Sequence, residues 1–248
     1  TKDYLRDNLG FRVMLIDAGQ VFRVLVVALE RANVSFDDPT AIDAYLGNED
    51  NVRTCMQLVK DVYYMTKKDR DGLLYTNATG ANSAKVGARP LSQGFKDNLL
   101  RKWLHDAAVD GYEIVLLDGR ALEETGTMLA SEKLCDFVLG LYFVCDPVVG
   151  ARRTLGYSNI PYDQLDLAAK NSVDELVSQI NVRNNSDRTR AVQPIVPPAG
   201  APIYKLPDVP ATTPVVNSRP MATIDTSAQL SRDDMALPVA KLVAHYLV

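Results

Sequence analysis

The sequence predicts an α/β fold in which a parallel sheet is flanked by helices. Patterns of strand length and helix length alternate along the chain, as in folds with parallel sheets. Two runs, residues 114–117 and 137–144, are continuously apolar, which is expected of strands buried on both faces. Polar residues follow directly on three candidate strands: Asp17, then Asp118-Gly119-Arg120, then Asp146. The crevice beyond the carboxyl ends of the strands is where such sheets bind ligands.

The elements follow in order. Residues 2–9 have helical composition and stop at Gly10, a helix-terminating glycine. Residues 13–16 form a strand, Asp17-Ala18-Gly19 a turn, and 21–32 a helix with Val21, Leu25, Ala28 and Leu29 on one face. Helices are expected over 39–46, capped by Asp37 or Asp38, and over 50–61. Residues 62–65 and 73–76 flank a polar segment ending in Gly72, which reads as a hairpin. A helix over 93–108 leads to the strand at 114–117. After the strand at 137–144, residues 152–190 read as helical and basic at both ends. Seven of the 13 prolines fall between Pro197 and Pro220, so that stretch reads as an extended insertion, a flexible loop in the main. A short strand at 222–225 and a helix from Arg232, capped by Ser231 and interrupted by Pro238, close the chain.

Composition excludes several classes. With 248 residues, 47% hydrophobic and 23% charged, the chain is of globular type. A net charge of −4 gives no footprint for a nucleic-acid-binding protein. Cys55, Cys135 and Cys145 are odd in number and lack a C-x-x-C, so they read as buried thiols of a reducing compartment. Two histidines exclude a multi-histidine metal site. Residues 24–29 are too short an apolar run to span a bilayer, and no signal peptide is visible. A cytoplasmic monomer, without nucleic-acid or membrane partners, is expected.

The densest motif is Arg183-Asn184-Asn185-Ser186-Asp187-Arg188-Thr189-Arg190. On a helix Arg183 and Asp187 are i,i+4 neighbours, and Arg190 follows at i+3. A carboxylate between two guanidinium groups fixes their forks, which match phosphate oxygens. A solvated basic helix face is the plainer reading of the same residues.

The stretch INVRNNSDRTRAVQPIVPP, residues 180–198, resembles the lid of bacterial cytidylate kinases, R-D-x-x-D-x-x-R-x-x-x-P-L. Four further segments are similar in the same order. Ile16-Asp17-Ala18-Gly19-Gln20-Val21-Phe22-Arg23 resembles L-D-[ST]-G-x-x-Y-R. Asp118-Gly119-Arg120, followed by Gly126-Thr127, resembles D-G-R-D-x-G-T with an insertion. Asp146 with Arg152-Arg153 resembles the R-x-R-R segment, and Asp225-Thr226-Ser227 the D-T-S before the last helix.

The resemblance implies a fold like that of the P-loop kinases, with a core, a small monophosphate-binding insert and a helical lid. It places core at 1–38, insert at 39–84, core at 85–150, lid at 151–196, the Pro-rich insertion at 197–221 and the last core strand and helix at 222–248. The implied activity is ATP- and Mg²⁺-dependent phosphorylation of CMP or dCMP. The resemblance implies a nucleotide site of Asp17, Arg23, Ser92, Lys96, Asp118, Arg120, Arg183, Asp187 and Arg190, with Arg120, Arg152, Arg153, Arg183 and Arg190 neutralising charge during transfer.

Ala18 departs from the family's serine or threonine, and residues 86–93 depart from its base-reading segment, where Ser92 and Lys96 are the nearest candidates. No G-x-x-x-x-G-K-[ST] occurs. The chain is therefore read as a fragment that begins just after that loop and has negligible kinase activity. A kinase for UMP or AMP, and a non-catalytic CMP-binding or regulatory protein, stand as alternatives.

Overall fold

Lys2–Leu9 forms α1, which ends where Gly10 takes φ 76°, a left-handed conformation that costs glycine no Cβ clash. The computed structural model describes residues 1–189, 191 and 194–248. It is an α/β fold of two compact units.

The unit of Met14–Leu134 holds β1 (Val13–Asp17), α2 (Ala18–Arg31), α3 (Pro39–Leu46), α4 (Glu49–Tyr64), α5 (Lys67–Leu74), α6 (Asn77–Gly87), α7 (Pro90–Val109), β2 (Ile114–Asp118) and α8 (Leu122–Ser131). Strands β1 and β2 pair in a two-stranded sheet. The α2 sequence is apolar on nearly every side, with Ala18, Val21 and every residue of 24–29 buried. A helix of that kind persists only when surrounded. The other helices of this unit supply the cover: Ile42, Cys55, Leu58, Val62, Leu74, Val86 and Leu99 complete one core with α2.

The second unit comprises Thr1–Val13, Cys135–Thr189 and Ile195–Val248. Besides α1 it contains β3 (Gly140–Val144), α9 (Pro147–Thr154), α10 (Leu167–Thr189), β4 (Ile203–Lys205), β5 (Val215–Val216), β6 (Arg219–Asp225) and α11 (Arg232–His245). Strand β6 is central. It pairs in parallel with β3, Gly140 opposite Met221 through Val144 opposite Asp225, and in parallel with β4; β5 joins it antiparallel. Helix α11 covers this sheet with Val239 against Leu206, Ala222 and Ile224, and α9 packs on α10 around Ala151, Leu165, Ala169 and Val173.

Several expectations need correction. No hairpin forms at 62–76. Helix α4 runs on to Tyr64, because the Cys55, Leu58 and Val62 stripe keeps helical spacing. Thr66 then starts α5, accepting from Asp69 N–H and donating its hydroxyl to the Asp69 carboxylate at 2.8 Å. Residues 77–87, left unassigned by the pattern, form α6 behind a Thr76 cap.

The Pro-rich stretch is not a free loop: it contains β4 and β5, and it buries Leu206 and Thr213. Strands β2 and β3 are half-buried rather than enclosed on both faces, since each has a single strand partner among the described residues, and Phe143 is exposed. Of the thiols only Cys55 is buried; burial raises its pKa to about 11. Cys145 is exposed. No helix among the described residues is long and apolar enough to cross a membrane.

The Pro-rich segment is tied to the chain end by one side chain. Tyr246 Oη accepts from Thr213 N–H at 2.8 Å and lies 2.9 Å from Thr213 O, to which it donates, while Thr213 Oγ1 donates to Met221 O at 2.7 Å. Tyr246→Phe strands both Thr213 backbone groups. It is expected to cost about 1–3 kcal/mol, a fall in melting temperature of roughly 3–10 °C readable by calorimetry.

Candidate functional site

Asp17 ends β1 and caps α2, its Oδ1 accepting from Gln20 N–H at 3.1 Å. The turn is built by the sequence itself: an Asx cap, then small residues Ala18 and Gly19, then the apolar α2 run. Asp17, Gln20 and Arg23 are spaced i, i+3 and i+6, which sets them along one face of α2. They are its polar residues in an otherwise buried stretch, and all three meet the α5–α6 junction.

Tyr75 Oη donates to Asp17 Oδ2 at 2.9 Å and lies 3.2 Å from Gln20 Nε2. The Arg23 guanidinium rests over the Tyr75 ring, 4.6 Å from its centroid, and donates to Leu74 O at 2.8 Å. Gly80 of α6 lies beside it, where a Cβ would make an ordinary contact with Arg23 Nη1 at 3.7 Å. Burial is the main influence raising the Tyr75 phenol above its ordinary pKa; donation from Gln20 opposes it and the Asp17 carboxylate adds to it. The hydroxyl thus keeps its proton and acts as donor to Asp17.

Asp118 ends β2. Burial, then the charge of Asp17, push its carboxyl above the ordinary range, with the Gly119 N–H pulling the other way. At φ 157°, Gly119 passes so close to the start of α2 that a Cβ would meet the Ala18 Cβ at 3.3 Å. The same packing buries Ala18, where the resemblance would place a hydroxyl. Arg120 follows, exposed, and Ala121 takes the left-handed φ of 53° before α8 begins.

The remaining expected residues divide by unit. Ser92 and Lys96, on α7, are fully buried. Lys96 Nζ donates to Thr125 Oγ1 at 2.8 Å and pairs with Asp97 Oδ1 at 3.0 Å, so α7 is fastened to the segment that follows Asp118 and Arg120. The Ser92 hydroxyl and Gln93 Oε1 are buried without a hydrogen-bond partner.

In the other unit Arg183 and Asp187 share a face of α10 at 4.0 Å, with Asp187 buried and its carbonyl accepting from Ile195 N–H. Arg152 is buried against the carbonyls of Tyr157 and Ser158. Arg153 donates to Ala228 O at 2.7 Å. Arg190 lies outside the described residues.

Asp146 caps α9, its carboxylate accepting from Val148 and Val149 N–H. The Asp225-Thr226-Ser227 run braces β3 to β6. Thr226 N–H donates to Val144 O, Ser227 Oγ accepts from Asp146 N–H, and Asp225 accepts from Ser227 N–H.

Structure therefore brings Asp17 and Asp118 together at the ends of β1 and β2 and joins Arg23, in the second turn of α2, to Asp17 through Tyr75, with Ser92 and Lys96 on a helix of the same unit. Gln20 was legible as the third residue after a cap. Tyr75 was not: it meets Asp17 from 58 residues away, and no local pattern signals that contact.

Such a constellation offers one guanidinium for an anionic group and two neighbouring carboxylates, one with a raised pKa, for hydrogen-bond donors. Over 195 residues the chain is 26% identical to a cytidylate kinase of Shewanella pealeana, covering 78% of this chain and 75% of that enzyme. No family model matches the chain.

The carboxyl pair makes a pH prediction. A raised folded pKa favours the protonated acid, so the stability it contributes is complete below the unfolded value of 3.8 and is lost as pH rises through the higher folded value. Asp118→Asn removes the charge. It is expected to raise the melting temperature at pH 7 by about 1–2 °C, and the gain should vanish below pH 3.8 in paired thermal melts.

Proposed function

We propose that this chain carries the acceptor-nucleotide site of a nucleoside monophosphate kinase, with CMP or dCMP as the acceptor. What supports the reading is the proximity of Asp17 to Asp118 and the link from Arg23 to Asp17 through Tyr75, in a chain that resembles a cytidylate kinase over most of its length.

Each residue has a role under this reading. Arg23 presents its guanidinium to the acceptor phosphate, the charge-assisted contact that phosphoryl-transfer sites rely on. Asp118 accepts from the amino group of the cytosine edge, and Asp17 sets the local field and the start of α2. Ser92 and Lys96, fully buried, stand behind the site and do not touch the nucleotide, Lys96 holding the Asp118–Thr127 segment through Thr125. The resemblance adds Arg120, Arg183, Asp187 and Arg190 as further charge for the nucleotide. Arg153, and more weakly Arg152, support the backbone around that lid. No general base is needed, because a phosphate oxygen is already anionic at neutral pH.

The donor in such enzymes is ATP with Mg²⁺, which supplies the γ-phosphoryl group. The residues present do not fit a triphosphate cradle. The sequence has no G-x-x-x-x-G-K-[ST], and no group of three or more His, Cys, Asp or Glu able to hold a metal ion occurs among the described residues. The reading is confined to the acceptor, and CDP formation by this chain alone is expected to be negligible.

Thermal shift tests it. CMP at about 100 times its Kd should stabilise the chain by about 2.7 kcal/mol, roughly 5–10 °C, with smaller shifts for UMP and AMP. Arg23→Gln should lose most of the CMP shift. A cooperative melt unmoved by any of the three nucleotides would contradict the proposal.

A further inference from the structure

Arg23 and Asp17 lie along one face at the start of α2, and beyond the cap that Asp17 makes to Gln20 N–H their outer polar groups reach past the helix. Both are held by the α5–α6 junction. An arginine on a helix surface samples many rotamers, and fixing one costs side-chain entropy at the moment a ligand binds. Here the guanidinium is fixed beforehand from two directions, by the Tyr75 ring beneath it at 4.6 Å and by Leu74 O at 2.8 Å. The same tyrosine, through its hydroxyl, fixes Asp17 at 2.9 Å and meets Gln20 at 3.2 Å.

One side chain thus organises the cap of α2 and two of its residues. Tyr75 is itself 45% exposed, so its ring contributes little to the core. Its hydrogen bonds and its stacking lie at the site.

We infer that Tyr75 is the positioning residue of this site: its ring pre-sets Arg23 for an anionic phosphate, its hydroxyl pre-sets Asp17, and through both it makes the helices of residues 39–84 part of the binding apparatus. The ligand class rests on the nucleotide reading above; the geometry of the clamp does not.

Two variants separate the functions of ring and hydroxyl. Tyr75→Phe keeps the ring under Arg23 and removes the hydroxyl; Tyr75→Leu removes both. The first measurement needs no ligand. In a ¹⁵N spectrum of arginine Nε–H groups, the Arg23 signal should carry a ring-current shift in the wild type and in Tyr75→Phe, and lose it in Tyr75→Leu. An Arg23 signal that is the same in the wild type and Tyr75→Leu overturns the inference.

The second measurement is calorimetric titration with CMP and with cytidine, which lacks the phosphate. Tyr75→Leu should weaken CMP by about 5- to 10-fold and leave cytidine unchanged, with Tyr75→Phe losing less. In an Arg23→Gln background, Tyr75→Leu should add nothing further, since its effect passes through Arg23. Equal losses of CMP affinity in both backgrounds overturn the positioning role. A wild type that shows the ring-current shift but binds neither CMP nor cytidine contradicts the nucleotide reading, and with it the role given to the clamp, while leaving the stacked geometry in place.

Discussion

Helix α2 cannot exist in water on its own terms. From Val24 to Leu29 it presents buried apolar side chains in every direction, so its stability comes wholly from what surrounds it. The rest of the Met14–Leu134 unit follows from that constraint. Helices α4, α5, α6 and α7 each pack apolar side chains against α2, among them Leu58, Leu74, Val86 and Leu99. Enclosure also dictates where chemistry can sit. The polar residues Asp17, Gln20 and Arg23 must emerge at the one end where β1 enters, and there they need partners. The α5–α6 junction provides them.

The site is thus a by-product of covering a hydrophobic helix. Partial desolvation and a second carboxylate raise the pKa of Asp118, which is otherwise exposed, and a Cβ on the neighbouring Gly119 would press on Ala18 at 3.3 Å. Charge-bearing groups in such a place are costly unless a ligand rewards them. Under the proposed function, the anion of a nucleoside monophosphate meets the guanidinium and its base donors meet the carboxylates. The likeness to a cytidylate kinase, at 26% identity, points in the same direction.

Much of this was legible in the sequence because it is local. Asp38 before Pro39, Gly10 after Leu9 and Ser231 before Arg232 announce helix ends through cap chemistry that acts within four residues. The polar residues after β1 and β2 were visible for the same reason. Residues 62–76 misled because Val62-Tyr63-Tyr64-Met65 has strand composition, although Thr66-x-x-Asp69 already spelled a helix cap. The Pro-rich stretch misled differently. Whether Ile203–Lys205 becomes a strand depends on β6 lying alongside, a contact about 20 residues away in register that composition cannot report. Asp146 shows the converse: its position after a strand suggested a ligand contact, and its carboxylate is occupied as the cap of α9. Tyr75 was invisible because only the fold brings it to Asp17 and Arg23.

The central claim is that one nucleotide site is built on Asp17, Arg23 and Asp118, and a crystal structure of the chain grown with CMP tests it most directly. The account predicts the phosphate within hydrogen-bonding distance of Arg23, whose guanidinium still rests on Tyr75, and the cytosine amino group facing Asp118. CMP ordered away from Arg23 and Asp118, or a site that stays empty at saturating CMP, would contradict it.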